Sequence, residues 1–498
     1  MTLACMLVLT TLATGQLPFN DQHYALQMLN QAVKLSGSFS ASERVDSLTD
    51  AAEIASQVDP NTARTWAEEA FALTKNIAMG QFRAAMQKNA LRILALNAPD
   101  EALTLYRKQD LPSNWGKPSE MLEDPRALSD PSVLTVIWKS KGEEYIRQLI
   151  SLATFLGKTG QYPYRNMGQI AIDAARNNPR ATKTILAAAL HAFRRDPGFK
   201  STNNQFVLFI LRTHSVANPG ILKKEVQAAV DAIEHPRTPA HATYHFRVTT
   251  PLGSAEFDSE REYLLFRLMP LAIESAPQLA ARLRTSYSSL RHAPTINADA
   301  PVGVAGAVSM DGTASPARMQ IAVDRASVFR ASQLAQGEPD EALKVANQIA
   351  DPALRTLALV LLAPAEKDKP QAEQWMLSGN EALNTMKDDL LKLQLMTAII
   401  KSDLSMGETD SARIMLPTAF ALGQRIYAAD HQRYPEKAAY ETDGADSLAE
   451  IAYAAGLANG ETSEALIQHI PDDILRARLL ISTARALAGM KNRLYLPV

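Results

Sequence analysis

Apolar residues recur along most of this chain at helical spacing, most clearly at 337–363. Four residues there fall at i, i+3, i+4 and i+7, on one face of a helix: Ala342, Val345, Ala346 and Ile349. The same spacing returns after a turn, at Leu354, Leu357, Ala358, Leu361 and Leu362. Neither short helix can bury its stripe alone. The pattern therefore predicts two helices that pack side by side and against a neighbouring pair.

Residues at the predicted helix starts support this interpretation. Asp351 is a good N-cap because its carboxylate can accept from the free N–H groups of the first turn, and Pro352 fits the first helical position. Asp59-Pro60 has the same form. Ser40, with Glu43 three residues later, forms a capping-box pattern. These signals predict helices beginning at each of the three places.

Parts of the 337–363 stretch recur elsewhere, and they carry a family resemblance. They are Pro339-Asp340-Glu341-Ala342-Leu343, which recurs at 99–103, Asp351-Pro352-Ala353-Leu354-Arg355, and the segment 460–466. A Gly followed by a helix start that contains Glu-Ala-Leu is similar to the helix starts of tetratricopeptide repeats. The array as a whole resembles tetratricopeptide-like and HEAT-like α-solenoid proteins. The resemblance implies an irregular superhelix whose concave surface binds peptide or protein segments.

The fold class predicted is therefore all-α, an α-solenoid of stacked antiparallel helix pairs in two blocks. Residues 1–15 have the short apolar run and small residues of a secretory signal peptide. An N-terminal helical block is expected over 16–290 and a C-terminal repeat block over 319–498. Between them, 291–318 is rich in small residues and has no period, which is typical of a linker or disordered insert.

The amino-acid composition argues against some classes of function and cellular location. The 498 residues are 46% apolar but only 6% aromatic, which favours helix, and the formal net charge is −2. A balanced charge without a basic stripe argues against nucleic acid as a partner. The single cysteine, Cys5, lies in the predicted signal peptide, and no stretch of the mature chain is long and apolar enough to be transmembrane. A periplasmic or secreted location is expected, with the cytoplasm as the alternative if residues 1–15 are not a signal.

The chain carries no recognisable catalytic motif. Gly157-Lys158-Thr159 lacks the earlier glycine and the preceding strand of a phosphate-binding loop, so a helix C-terminus is the better interpretation. His241 and His245 share a helical face near His235, but a metal would need a third ligand, from Glu256 or Asp258. Core packing is the expected role of Trp138, Tyr162 and Tyr164, although these three could also line a groove. No catalytic, cofactor-binding or metal-binding residue is assigned, and no cofactor is predicted.

The function expected is a protein-interaction scaffold rather than an enzyme, with protein or peptide segments as partners. The alternative is a helical-toroid enzyme acting on an extracytoplasmic polymer such as a polysaccharide, with its site between the blocks or around 235–258. If the protein has a special site, it is expected where the helical pattern lapses, in 111–131, 235–251 and 291–318.

Overall fold

The structure, a computed structural model, describes most of the chain and is dominated by helices. The described residues are 19–77, 80–107, 133–158, 162–195, 200–235, 246–250, 253–257, 259–292, 303–305, 316–335, 337–434 and 442–490. The predicted all-α class is confirmed by this helical content. The predicted signal peptide at 1–15 lies outside the described residues.

The elements are as follows in chain order. The first helices are α1 (Phe19–Leu35), α2 (Ala41–Val58), α3 (Pro60–Leu73), α4 (Gly80–Asn97), α5 (Pro99–Tyr106), α6 (Val133–Lys141), α7 (Ile146–Gly157), α8 (Tyr164–Ala174), α9 (Pro179–Arg195), α10 (Lys200–Thr213) and α11 (Pro219–Glu234). Strands β1 (Phe246–Thr250) and β2 (Gly253–Phe257) precede α12 (Glu260–Ser275), α13 (Pro277–Ser286), α14 (Ser288–His292) and strand β3 (Gly303–Ala305). The last helices are α15 (Pro316–Leu334), α16 (Pro339–Asn347), α17 (Pro352–Leu362), α18 (Lys369–Thr385), α19 (Asp389–Met406), α20 (Thr409–Arg433), α21 (Asp443–Ala458), α22 (Gly460–Ile467) and α23 (Asp473–Leu487). Short 3-10 turns occupy Ser36–Ser38, Thr74–Asn76, Gly142–Tyr145, His214–Val216 and Ala363–Ala365.

Contacts divide the chain into two compact units, and the division differs from the predicted blocks 16–290 and 319–498. Unit 1 contains Met1–Ile77 together with Thr313–Val498, and unit 2 contains Ala78–Gly312. Helices α1 to α3 therefore belong with the C-terminal helices. The sequence pattern could not show this, because a helical stripe records that a face is buried but not which distant helix covers it.

Within unit 1, neighbouring helices contact one another in a continuous series. Helix α15 contacts α16 and α17, α17 contacts α18 and α19, α19 contacts α20 and α21, and α21 contacts α22 and α23. Helix α23 then packs extensively on α1 and also touches α2, which packs on α3. The pairing of α23 with α1 thus joins the last described helix of the chain to the first.

Close packing holds this junction together. Ala25, Met28, Leu29 and Ala32 of α1 are almost fully buried. The ring of Tyr24 lies over Gly460 so closely that a Cβ there would come within 2.3 Å of Cδ1. The Tyr24 hydroxyl donates to Glu464, and burial, followed by this hydrogen bond, raises the pKa of Tyr24 to about 12. The N-terminal helix is thus held in unit 1 by apolar contacts and by a polar bond to α22.

The predicted helix starts are confirmed. Asp351 Oδ1 accepts from the N–H groups of Ala353 and Leu354 at 2.8 and 3.0 Å, and Ser40 with Glu43 forms a complete capping box. Asp472 caps α23 in the same way as Asp351 caps α17. The turns that precede α17 and α23 share a further contact. Arg355 donates to the carbonyl of Ile349, and Arg476 donates to the carbonyl of Ile470, in each case six residues earlier.

Unit 2 is a second series of contacting helices, running in chain order. Helices α4, α6, α8, α10 and α12 follow one another in contact, and α9 and α11 pack beside them. The apolar run 206–211, which could have been a buried strand, lies in α10. Phe206 and Phe209 are buried there, and Phe206 stacks on Phe193 with ring centroids 4.0 Å apart. The core of this unit is therefore rich in aromatic side chains.

A small antiparallel sheet interrupts the helices of unit 2. Strand β1 lies between β2 and β3, with Phe246 opposite Phe257 and Val248 opposite Val304. The sequence is compatible with a short extended segment from 244 to 250, which corresponds to β1. Strand β3 was not predicted, and it falls inside the predicted linker 291–318. Because β3 is only three residues long and its partner strand is more than fifty residues away, it leaves no periodic signal. Residues 293–302 and 306–315 of that linker lie outside the described residues.

Candidate interaction surface

The segments where the helical pattern lapses give no assembled site in the described chain. Residues 111–131 lie outside the described residues, as do His241, His245 and Asp258. His235 is described, and its Nδ1 lies 3.0 Å from the carbonyl of Asp231 in the last turn of α11. Among the described residues, no group of three His, Cys, Asp or Glu side chains is placed to hold a metal ion.

The aromatic residues considered for a groove lie in the core. Tyr162 and Tyr164 are each 3% exposed, and the Tyr162 hydroxyl donates to the carbonyl of Ile185. Trp138 is buried, and its Nε1 donates to Asp173 at 3.0 Å. Gly157 ends α7 and packs against Tyr162, so the interpretation of Gly157-Lys158 as a helix C-terminus is confirmed.

A different feature emerges in unit 1, where ion pairs join successive helices. Lys401 of α19 pairs with Glu450 of α21, and Asp446 of α21 pairs with Arg478 of α23. Arg485 of α23 then pairs with Glu53 of α2, with Nη2 and Oε2 2.9 Å apart. The three pairs follow the helix order α19, α21, α23 and α2. We call the surface formed by these six side chains and their immediate neighbours the ion-pair face.

Helical spacing explains why these charges share one surface. Asp446, Glu450 and Tyr453 fall at i, i+4 and i+7 on α21, and Arg478 and Arg485 are seven residues apart on α23. The Lys401 ammonium lies 5.5 Å from the centroid of the Tyr453 ring, and the Tyr453 hydroxyl donates to the carbonyl of Met490. Each side chain of the ion pairs is at most 31% exposed, so solvent screens the charges less than on an open surface.

Helix α2 adds carboxylates to the ion-pair face. Asp46, Asp50 and Glu53 recur at i, i+4 and i+7, the same helical spacing that places Glu53 against Arg485. Burial raises the pKa of Asp46 to about 7, and the negative charges of Asp50 and Glu43 contribute further to this shift. Among the described residues, this face holds the basic groups Lys401, Arg478 and Arg485 and a larger number of carboxylates, namely Asp46, Asp50, Glu53, Asp446 and Glu450.

A shallow groove of about 380 Å³ lies on unit 1, lined in the described residues by one face of α1: His23, Leu26, Gln27, Asn30, Gln31 and Lys34. Among the described helices, none combines the length and apolarity needed to cross a bilayer.

The ion-pair face is not predictable from the sequence pattern. The charges on α21 and α23 are visible in the sequence at helical spacing, but their partners lie on other helices, in one case 432 residues away. The chain matches no protein-family model, no curated protein and no solved structure.

Proposed function

We propose that the protein is an exported helical-repeat scaffold that binds protein or peptide segments on the ion-pair face of unit 1. The observation that carries the proposal is the unbroken series of ion pairs linking α19, α21, α23 and α2. Pairs of this kind hold charged side chains of successive helices in fixed positions. A fixed array of polar groups suits recognition of an extended partner, because little side-chain entropy is lost on binding.

The architecture proposed for unit 1 is an irregular α-solenoid, similar to tetratricopeptide-like and HEAT-like arrays. Support comes from the order of contacts, in which each helix of the row α15, α17, α19, α21 and α23 touches the next. Helices α16, α18, α20 and α22 each pack beside the preceding member of that row. In such an array one row lines a continuous surface, and here that row carries the ion pairs.

The partner we propose is a protein segment carrying Lys or Arg. The ion-pair face has more carboxylates than basic groups, and the raised pKa of Asp46 reflects repulsion from Asp50 and Glu43 in addition to burial. A cation placed near these carboxylates would relieve the repulsion. Charge complementarity of this kind mainly increases the association rate and selects partners.

The proposed location is outside the cytoplasm, periplasmic or secreted. It rests on the signal-peptide character of residues 1–15. Mass measurement of the intact protein from an exporting host tests it: cleavage near Gly15 is expected, and a product that begins at Met1 contradicts export by this signal.

The binding proposal is tested by affinity capture from native extract with the wild-type chain and two double variants. D46N/D50N neutralises two carboxylates of the ion-pair face, and E373Q/E381Q neutralises two exposed carboxylates of α18 as a matched control. We expect wild type and the control to enrich the same basic protein, and D46N/D50N to lose most of it. Equal capture by all three variants, or no enrichment by wild type, would count against the proposal. Thermal unfolding of each variant verifies that the fold is retained.

A further inference from the structure

Glu225 of α11 is a buried carboxyl group in unit 2 that the proposed function does not use. Its side chain is 0% exposed, and neither carboxyl oxygen has a hydrogen-bond partner. Leu222, Val226 and Ala229 on the same face of α11 are also buried. A carboxylate in such a place would lose its hydration without compensation, which is among the most unfavourable arrangements in a protein core.

Among the residues that the structure describes, no basic side chain is placed as a counter-charge to Glu225. The described titratable group that interacts electrostatically with it is Tyr162, which is itself buried and donates its hydroxyl to the carbonyl of Ile185. The described ionisable side chains of the packed helices α9 and α10 are exposed, namely Arg180, Lys183, His191, Arg194, Arg195 and Arg212. On α12, Tyr263 is buried and accepts from Arg267, and Glu260, Arg261, Glu262 and Glu274 are half-buried or exposed. On α11 itself, Lys223, Lys224 and Asp231 are exposed, and Glu234 pairs with Arg282.

The neighbouring core has little room in which a carboxylate could be hydrated. A Cβ added at Gly157 would lie 3.0 Å from Ala192 and 3.1 Å from the Tyr162 ring. Tyr162 in turn packs on Tyr164, with ring centroids 4.9 Å apart. Because Glu225 itself is 0% exposed, hydration of its ionised carboxylate requires α11 to separate from its neighbours.

We propose that the Glu225 carboxyl is a proton-controlled latch of unit 2: α11 stays packed on α9, α10 and α12 while the carboxyl holds its proton, and it opens when the proton leaves. Burial raises the pKa of Glu225 to about 8 in the closed state, and opening returns it towards its ordinary value of about 4.3. One proton is then released on opening, so the opening equilibrium constant rises about tenfold per pH unit between about pH 5 and pH 8. Above pH 8 it levels off.

Hydrogen exchange of the full chain from pH 5 to pH 9, corrected for intrinsic rates, tests the latch. In wild type, α11 peptides are expected to show an opening constant about fifty times larger at pH 8 than at pH 6. E225Q should show no such rise. D231N, which removes an exposed carboxylate from the same helix, should behave as wild type, and peptides from α21 in unit 1 serve as an internal reference.

Equal pH dependence in wild type and E225Q would overturn the proposal. Because E225Q could fold poorly, a second measurement uses the wild-type chain alone: ¹³C NMR titration of glutamate carboxyl groups. One glutamate is expected to remain protonated at pH 7, and a spectrum in which every glutamate titrates near pH 4 would also overturn the latch.

Discussion

Arg485 Nη2 of α23 lies 2.9 Å from Glu53 Oε2 of α2, although 432 residues separate the two side chains in the sequence. Both side chains are more than four-fifths buried. The pair stands beside the apolar contact of α23 with α1. The coupling free energy between Arg485 and Glu53 therefore indicates whether α2 is packed on α23 in unit 1.

Breaking this ion pair is expected to destabilise unit 1. R485Q should lower the free energy of unfolding by about 2 kcal/mol, because it removes the guanidinium that compensates a largely buried carboxylate. Urea unfolding of wild type, R485Q, E53Q and the double variant gives the coupling free energy, which we expect to be about 1–3 kcal/mol. Additive effects of the two single variants would show that the pair contributes nothing of its own.

A methyl group at Gly460 is expected to loosen the contact between α22 and α1. The Cβ of G460A would lie within 2.4 Å of two Tyr24 ring atoms, so the ring must move. Such overpacking typically costs about 1–3 kcal/mol, and Y24A should relieve part of that cost when the two are combined. G220A is the control, since a Cβ there would make only an ordinary 3.5 Å contact with Asn218. A G460A variant as stable as G220A would contradict the described docking.

The N-cap residue of α23, Asp472, is expected to contribute more to stability than an N-cap residue that bonds only to the backbone of its helix. Asp472 Oδ1 accepts from Ile474 and Leu475, and its Oδ2 accepts from the Tyr427 hydroxyl at 2.6 Å. Asp388 caps α19 with the same two backbone bonds. D388A should therefore cost about 1 kcal/mol, as for a typical cap, and D472A about 1 kcal/mol more, as for one additional hydrogen bond. Equal losses in chemical unfolding would show that the Tyr427 bond adds no stability.

Glu225 should make the stability of unit 2 depend on pH. Its pKa is about 8 in the folded state and about 4.3 when unfolded. The unfolded chain therefore loses this proton between those values while the folded chain keeps it. Wild-type stability should fall relative to E225Q by about 1.4 kcal/mol per pH unit from pH 5 to pH 8. Urea unfolding at each pH measures this slope, and a constant difference between wild type and E225Q would exclude the shift.

Local features of the fold were predictable from the sequence, and distant pairings were not. The caps at Asp351 and Ser40 and the stripe containing Leu354 and Leu357 depend on residues close in the chain, and the structure reproduces them. The assignment of α1 to α3 to the C-terminal helices depends on which apolar faces match, and a periodic pattern contains no such information.

The same distinction applies to the functional groups. Glu225 could have been noticed, because it interrupts an apolar stripe containing Leu222, Val226 and Ala229. The ion-pair face could not, because each of its pairs joins different helices. In the sequence, Lys401 and Glu53 look like any other charged residues on a helix surface. Only the contacts between helices show that they belong to one continuous surface.

The pairing of α23 with α1 has a consequence for biosynthesis. Helix α1 is translated before its partner α23 (Asp473–Leu487), and all the other described helices lie between the two in the sequence. The face of α1 that packs on α23 therefore stays uncovered until α23 has been translated. Meanwhile unit 2, whose helices contact one another in chain order, can fold as it emerges. The apolar face of α1 is thus exposed during synthesis for longer than the faces that pack between neighbouring helices of unit 2.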